Sequence, residues 1–131
     1  MSESSESKGF NEAVKTYLMG LQASIMQAIE ALDGQAHVVK DVWTKEAHEP
    51  LQGNGITKII EGGRIFERAG CGFSHVQGPS LPPSATQARP ELVGASFDAM
   101  GVSLVFHPWN PLVPTVHMNC LLYTSPSPRD S

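Results

Sequence analysis

The chain has 131 residues, of which 40% are hydrophobic and 17% are charged, and its formal net charge at pH 7 is -4. This length fits one ordinary domain, and the composition is typical of a soluble globular protein. The acidic balance argues against nucleic-acid binding, which needs a basic surface, and no apolar run is long enough to span a membrane. Any site for an anionic ligand would need cations placed locally.

The first third of the chain predicts one helix. Residues 1–9 are rich in Ser and Glu and lack the apolar core of a signal peptide, so we expect a disordered tail. Over residues 10–32, apolar side chains recur at spacings of three and four, which predicts an amphipathic helix ending at Asp33-Gly34. Residues 38–43 suggest a short extended segment, and Gly53-Asn54-Gly55 suggests a turn.

The middle of the chain predicts antiparallel strands. Residues 56–60 indicate a strand, Gly62-Gly63 closes a hairpin into residues 64–69, and residues 73–77 indicate a further short strand. The proline-rich stretch over residues 78–94 predicts a long irregular loop. One helix followed by antiparallel strands favours an α+β fold, because parallel strands need crossover helices.

Residues 100–119, MGVSLVFHPWNPLVPTVHMN, predict a hairpin with a polar face. Strand side chains alternate, so Ser103 shares a face with His107, and His117 shares a face with Asn119. The intervening Pro-Trp-Asn-Pro is turn chemistry. If the strands pair, the polar sets meet on one surface that is backed by an apolar one, which is the layout of a substrate-binding sheet.

The two histidines of this hairpin are candidates for proton transfer, because imidazole titrates near neutral pH. The alternative is that His107 and His117 are hydrogen-bonded sheet residues. Together with His75 they could also bind a metal, although no spacing between them is diagnostic. Ser103 and Asn119 either hold polar groups of a ligand or face water. The two cysteines, Cys71 and Cys120, lack a CxxC pattern, so no zinc or redox motif is visible. If Cys120 belongs to an artefactual tail, Cys71 has no disulfide partner, which predicts a reducing, cytoplasmic location.

The hairpin sequence resembles the segment GVSLV-HP-NP-VPT-H-N of oxygen-dependent coproporphyrinogen oxidases. Upstream motifs follow that family in the same order, at residues 62–70, 73–76, 81–86, 89–92 and 96–101. Several collinear motifs are far more specific than one pattern. The resemblance covers residues 10–119, which would form the N-terminal part of the family's domain.

The resemblance implies a reaction, namely oxidative decarboxylation of coproporphyrinogen-III to protoporphyrinogen-IX in haem biosynthesis. Dioxygen would be the co-substrate, no metal or organic cofactor would be required, and the protein would be a homodimer. The implied fold is an N-terminal helix followed by part of a large antiparallel sheet flanked by helices. His117 aligns with the family's proposed proton donor, and Ser103 and Asn119 align with substrate-contacting positions. His107 aligns with a histidine often assigned to metal contact, so a metal at His107 and His117 is a further hypothesis, although the reaction would not require it.

The chain also departs from the family pattern. Lys58 stands where the family usually has arginine, and Gln77 replaces a common histidine. Residues 120–131 resemble a sequencing adapter read in frame, so we expect an assembly artefact, or alternatively a disordered Pro/Ser-rich tail. The chain would then be a fragment with little activity of its own. The alternative to an enzyme is a non-catalytic incomplete domain or a tetrapyrrole-binding module.

Overall fold

The computed structural model describes residues 2–46, 51–78 and 97–124. One helix packs against one face of a five-stranded antiparallel sheet, in agreement with the predicted α+β class. Helix α1 spans Ser2–Asp33, and the strands are β1 (Val39–Thr44), β2 (Gln52–Glu61), β3 (Phe66–Gly78), β4 (Phe97–Pro108) and β5 (Val116–Thr124). The strands lie side by side in chain order. Among the described residues, no helix is long and apolar enough to cross a membrane.

The core lies between α1 and the sheet. Leu18, Met26 and Ile29 recur along one side of α1 and are buried against the sheet. The sheet face that they cover is called the helix face here, and its buried residues are Ile60, Phe66, Ala69, Cys71, Phe73, Met100, Val102 and Leu104. The opposite face, which α1 does not cover, is called the open face.

The helix ends where the sequence predicts. Gly34 has a φ of 74° and its N–H donates to the carbonyl of Glu30, which is the left-handed termination that glycine adopts at low cost. The helix begins earlier than expected, at Ser2, so the structure has helix where we predicted a disordered tail over residues 1–9. Extending an established helix by a few polar residues costs little, because the unfavourable step is nucleation.

Two of the predicted strand boundaries are wrong. Gly53-Asn54-Gly55 lies within β2 and pairs with both β1 and β3. A side chain at Gly55 would collide with the indole of Trp43, which lies across it from β1, so this glycine marks close packing instead of a turn. Similarly, residues 66–69 of the predicted strand 64–69 and all of the predicted strand 73–77 belong to one continuous strand, β3, while Arg64 and Ile65 precede it.

The end of the chain also differs from expectation. β5 continues through Thr124, so residues 120–124 are strand instead of the tail we predicted. Thr124 Oγ1 donates to Asn11 Oδ1 of α1 at 3.1 Å, which connects the end of β5 to the helix. The adapter origin of residues 120–131 stays a prediction, and residues 125–131 lie outside the described residues. The predicted loop over residues 78–94 lies there too, apart from Gly78 at the end of β3.

Candidate functional site

The predicted hairpin forms, and its polar residues share the open face. In the β4–β5 register Ser103 lies directly opposite Asn119, and Val105 lies directly opposite His117. The intervening residues Val102 and Leu104 are buried on the helix face. All four polar candidates, Ser103, His107, His117 and Asn119, are exposed. The structure therefore has the predicted layout of a polar surface backed by an apolar one.

The open face is organised in rows that run across the strands. One row joins Thr57, Gly72, Ser103 and Asn119, and the next joins Ile59, Gly70, Val105 and His117. The last row joins Glu61, Arg68 and His107. Directly opposed side chains have Cβ atoms about 5 Å apart, and diagonal neighbours such as His107 and His117 are about 7–8 Å apart. Ser103, Asn119, His117, His107 and Arg68 therefore surround one area of the sheet.

Two glycines form the floor of this area. A Cβ at Gly72 would lie 3.7 Å from Ser103 Oγ, and one at Gly70 would lie 3.5 Å from Ile59 Cγ1, both ordinary contacts. By contrast, a Cβ at Gly55 or Gly101 would collide with the packed side chain of Trp43 or Leu121. Close packing therefore explains why residues 55 and 101 are glycines, but it does not explain Gly70 and Gly72. Bare backbone at a strand interior is typical of a place where a ligand approaches closely.

The hairpin turn is held by the neighbouring hairpin. Trp109 Nε1 donates to the carbonyl of Gly63 at 2.8 Å, and the Trp109 backbone N–H donates to the carbonyl of Ile65 at 3.0 Å. Within the turn, the Leu112 N–H donates to Asn110 Oδ1 at 2.9 Å. These bonds fix the chain just beyond His107, and so they restrict where this imidazole lies relative to Arg68.

The β2–β3 hairpin is in turn fixed to the helix by Asp33, which is fully buried. Its carboxylate accepts backbone N–H bonds from Arg64, Ile65 and Phe66 at 2.9–3.0 Å, and from Ala36 at 3.0 Å. Burial alone would raise the pKa of this carboxyl, but these backbone donors hold the pKa well below its usual range. The ionised side chain therefore joins α1 to the end of the sheet that carries Arg68 and His107.

His75, the third histidine of the metal-site hypothesis, lies on the other face of the sheet. His75 lies opposite Met100 on the helix face, and its Nε2–H donates to Asp98 Oδ1 at 2.9 Å. His107 and His117 are on the open face, so the structure does not bring the three imidazoles together. Among the described residues, no group of three or more His, Cys, Asp or Glu side chains is arranged to hold a metal ion.

Two further residues face the helix. Lys58, which stands in place of the expected arginine, lies opposite Cys71 in the β2–β3 register. Burial raises the pKa of the Cys71 thiol, an effect that the positive charge of Lys58 partly offsets. A buried neutral thiol is a poor nucleophile, so Cys71 contributes packing. Because Lys58 belongs to the helix face, its ammonium group does not contribute positive charge to the open face.

A comparison of the sequence with protein-family models identifies a family whose match includes the residues of the open face. The family model described as coproporphyrinogen III oxidase matches residues 13–130, which is nearly the whole chain. The chain belongs to the coproporphyrinogen III oxidase family. The match continues past Asn119, where the resemblance in the motifs ended, and it includes all of β5. Every hairpin residue singled out from the sequence lies inside the matched region.

Three residues of the open face, Arg68, Gly70 and Gly72, were not predicted as site residues from the sequence. A signal was present, because alternation counted back from Phe73, Cys71 and Ala69 places all three on the polar side. Reading β3 as two separate strands concealed that alternation. A register irregularity between Phe66 and Arg68 concealed it further, because it puts Phe66 in the core.

Proposed function

We propose that this chain acts in haem biosynthesis as an oxygen-dependent coproporphyrinogen oxidase, with coproporphyrinogen-III as substrate. The observation that carries the proposal is the open face of β4 and β5, where Ser103, Asn119 and His117 surround the bare backbone of Gly70 and Gly72. A tetrapyrrole suits such a surface, because a floor without side chains permits close contact over a wide area while polar side chains at its edge fix orientation. Family membership supports the choice of a tetrapyrrole.

The proposed chemistry uses the electron-rich pyrrole itself. A base removes the pyrrole N–H proton, dioxygen adds to the ring, and the resulting peroxide takes a hydrogen from the propionate chain as carbon dioxide leaves. For each propionate, the carboxylate, one dioxygen and one proton become a vinyl group, one carbon dioxide and one hydrogen peroxide, so that the carbon chain is oxidised and dioxygen is reduced. No metal or organic cofactor is required in this scheme.

The protein would contribute orientation and proton handling. His117 is the proposed proton donor and acceptor, because its imidazole is exposed on the open face, diagonal to Ser103. The hydroxyl of Ser103 accepts from a pyrrole N–H, and the amide of Asn119 donates to or accepts from the neighbouring polar groups of the substrate. His107, at the turn end of the same face, is the proposed second contact, and a metal at His107 and His117 is not needed for it.

A second candidate is a tetrapyrrole-binding module without turnover. The specific observation that favours it is the charge of the open face, where the described strands carry one arginine for a substrate with several carboxylates. Binding with no turnover would follow if catalysis needs more carboxylate contacts than these strands supply. The third reading, an incomplete domain, predicts no stable fold.

One set of measurements separates these possibilities. The chain is mixed with coproporphyrinogen-III under argon, air is admitted, and protoporphyrin fluorescence is followed after oxidation of the products. Vinyl formation that disappears in His117→Asn supports the enzyme. Saturable binding without product supports the module, and the absence of both binding and a cooperative thermal transition supports the incomplete domain.

We propose that the protein is a homodimer, as the resemblance implies. We propose a cytoplasmic location on a separate ground, namely the lack of a disulfide pattern. Sedimentation at several protein concentrations tests the dimer, since a monomer at all concentrations would contradict it. Cell fractionation with a tagged chain tests the location.

A further inference from the structure

Arg68 has an unusual position in β3. The register irregularity between Phe66 and Arg68 inserts an extra residue at this point, so Phe66 enters the core while Arg68 lies opposite His107 on the open face. Bulges of this kind redirect side chains and are common beside active sites. The side chain of Arg68 is exposed. Arg68 therefore lies in the row of the open face adjacent to the one that contains Gly70 and His117.

Within the described residues, the guanidinium of Arg68 forms no ion pair, unlike His37, which pairs with Glu30, and His75, which pairs with Asp98. Glu61 lies opposite Arg68 on β2, yet the two form no such pair. The protein carries a net charge of -4, so a positive group on this face runs against the overall charge. A free guanidinium suits a carboxylate, which it can bind with two parallel hydrogen bonds.

We propose that Arg68 anchors a propionate carboxylate of the tetrapyrrole and so determines specificity for carboxylate-rich tetrapyrroles. This proposal rests on the proposed function. Arg68 and Gly72 are four residues apart in one strand, which is about 13 Å. A macrocycle centred on Gly70 and Gly72 would thus reach Ser103 with its ring and Arg68 with an extended propionate. His107, beside Arg68, contacts the same carboxylate.

The experiment measures binding of coproporphyrin-III, the stable oxidised form of the substrate, to the 131-residue chain by fluorescence quenching in low salt. Arg68→Gln should weaken binding by about 10-fold, the usual size of one charge-assisted contact. Arg68→Lys should keep the charge but lose the two-bond geometry. Its affinity should therefore lie between that of the unaltered chain and that of Arg68→Gln. Glu61→Gln should tighten binding about 2-fold, because it removes a repulsive carboxylate.

The matched control is Lys40→Gln, which also removes one positive charge. Lys40 is on the edge strand β1 and belongs to the helix face. It should leave affinity unchanged. Protoporphyrin-IX, which has fewer carboxylates, should lose less affinity than coproporphyrin-III in Arg68→Gln. A cooperative melting transition like that of the unaltered chain shows that each variant is folded.

The outcomes separate this proposal from the proposed function. If the unaltered chain binds coproporphyrin-III and Arg68→Gln binds it equally well, Arg68 is not the anchor and the proposed function stands. If Lys40→Gln weakens binding as much as Arg68→Gln does, the effect is general charge and the anchor is likewise refuted. If the folded, unaltered chain does not bind coproporphyrin-III at all, the proposed function fails.

Discussion

Ser103 and Asn119 lie directly opposite each other on β4 and β5, on the open face of the sheet. Gly72 completes their row on the other side of Ser103. A hydroxyl and an amide at one edge of a bare backbone floor give a ligand two polar partners and one flat surface. The pair therefore defines where a tetrapyrrole would sit, and it yields the first prediction.

Replacing either polar residue of this pair should weaken coproporphyrin-III binding without affecting the fold. Ser103→Ala and Asn119→Ala should each cost about 3- to 10-fold in affinity, the usual value of one hydrogen bond. The double variant should lose less than the product of the two, because both residues contact one ligand. Ser24→Ala on the exposed side of α1 is the matched control. Unchanged affinity in the double variant would contradict the site.

Adding side-chain volume to the floor should block the ligand while the sheet stays folded. A Cβ at Gly72 meets only ordinary contacts, so Gly72→Ala should keep the melting temperature near that of the parent chain. For Gly72→Val, the melting temperature is measured first, and the variant is used if it is folded. Affinity for coproporphyrin-III should fall stepwise from glycine to alanine to valine. Gly55→Ala is the contrasting variant, because its methyl group would collide with Trp43 and destabilise the fold. Equal binding by Gly72→Val would argue against a ligand on the floor.

Removing the charge of Asp33 should destabilise the whole domain. The Asp33 carboxylate accepts five backbone N–H bonds from the described residues while fully buried. The NH2 group of an asparagine would face some of these N–H donors and could not accept from them. We expect Asp33→Asn to lower the free energy of unfolding by about 2–4 kcal/mol. Urea unfolding measures it, with the exposed Asp41→Asn as control. A loss below about 0.5 kcal/mol, the range of ordinary surface substitutions, would contradict the role.

The same carboxylate predicts how stability depends on pH. Its pKa in the folded protein lies below the unfolded value of about 3.9, so the folded state favours the ionised form. This contribution is complete above the unfolded pKa and is lost as the pH falls toward the folded pKa. Urea midpoints measured between pH 7 and pH 3, on either side of that unfolded pKa, should fall at the acidic end. The fall should be smaller in Asp33→Asn, and an identical fall in both proteins would assign the effect to other groups.

Metal removal should leave binding unchanged. The proposed contacts are hydrogen bonds and a charge pair, so dialysis against a chelator should not alter coproporphyrin-III affinity. His107→Ala should then weaken binding by a similar factor with and without chelator. A chelator-sensitive affinity that zinc restores, and that His107→Ala abolishes, would support a metal at His107 and His117 instead.

The helix and the final hairpin could be predicted from the sequence because each has one dominant periodicity. Apolar spacing of three and four identifies α1, and strict alternation groups Ser103 with His107 and His117 with Asn119. The turn assigned to Gly53-Asn54-Gly55 was wrong, because composition cannot show that Trp43 covers Gly55 from another strand. Such cross-strand packing depends on register, which the sequence does not state.

Only the hairpin residues of the candidate site could be predicted from the sequence. His107, His117, Ser103 and Asn119 belong to one local hairpin, so their spacing is sufficient to group them. Arg68 comes from another strand and reaches the same face through a register irregularity, which no local pattern specifies. The burial of Asp33 was equally hidden, since its donors come from residues about thirty positions later in the chain.

A nuclear magnetic resonance titration of the chain with coproporphyrin-III tests whether the macrocycle binds on the open face of the sheet. The aromatic macrocycle shifts nearby nuclei strongly, and the two faces of the sheet carry different reporters. Binding on the open face should give large ring-current shifts at Gly70, Gly72 and Ser103, and small ones at His75 and at the methyl group of Met118, which share the helix face. Shifts concentrated at His75 and Met118, or no saturable shifts in a folded chain, would contradict it.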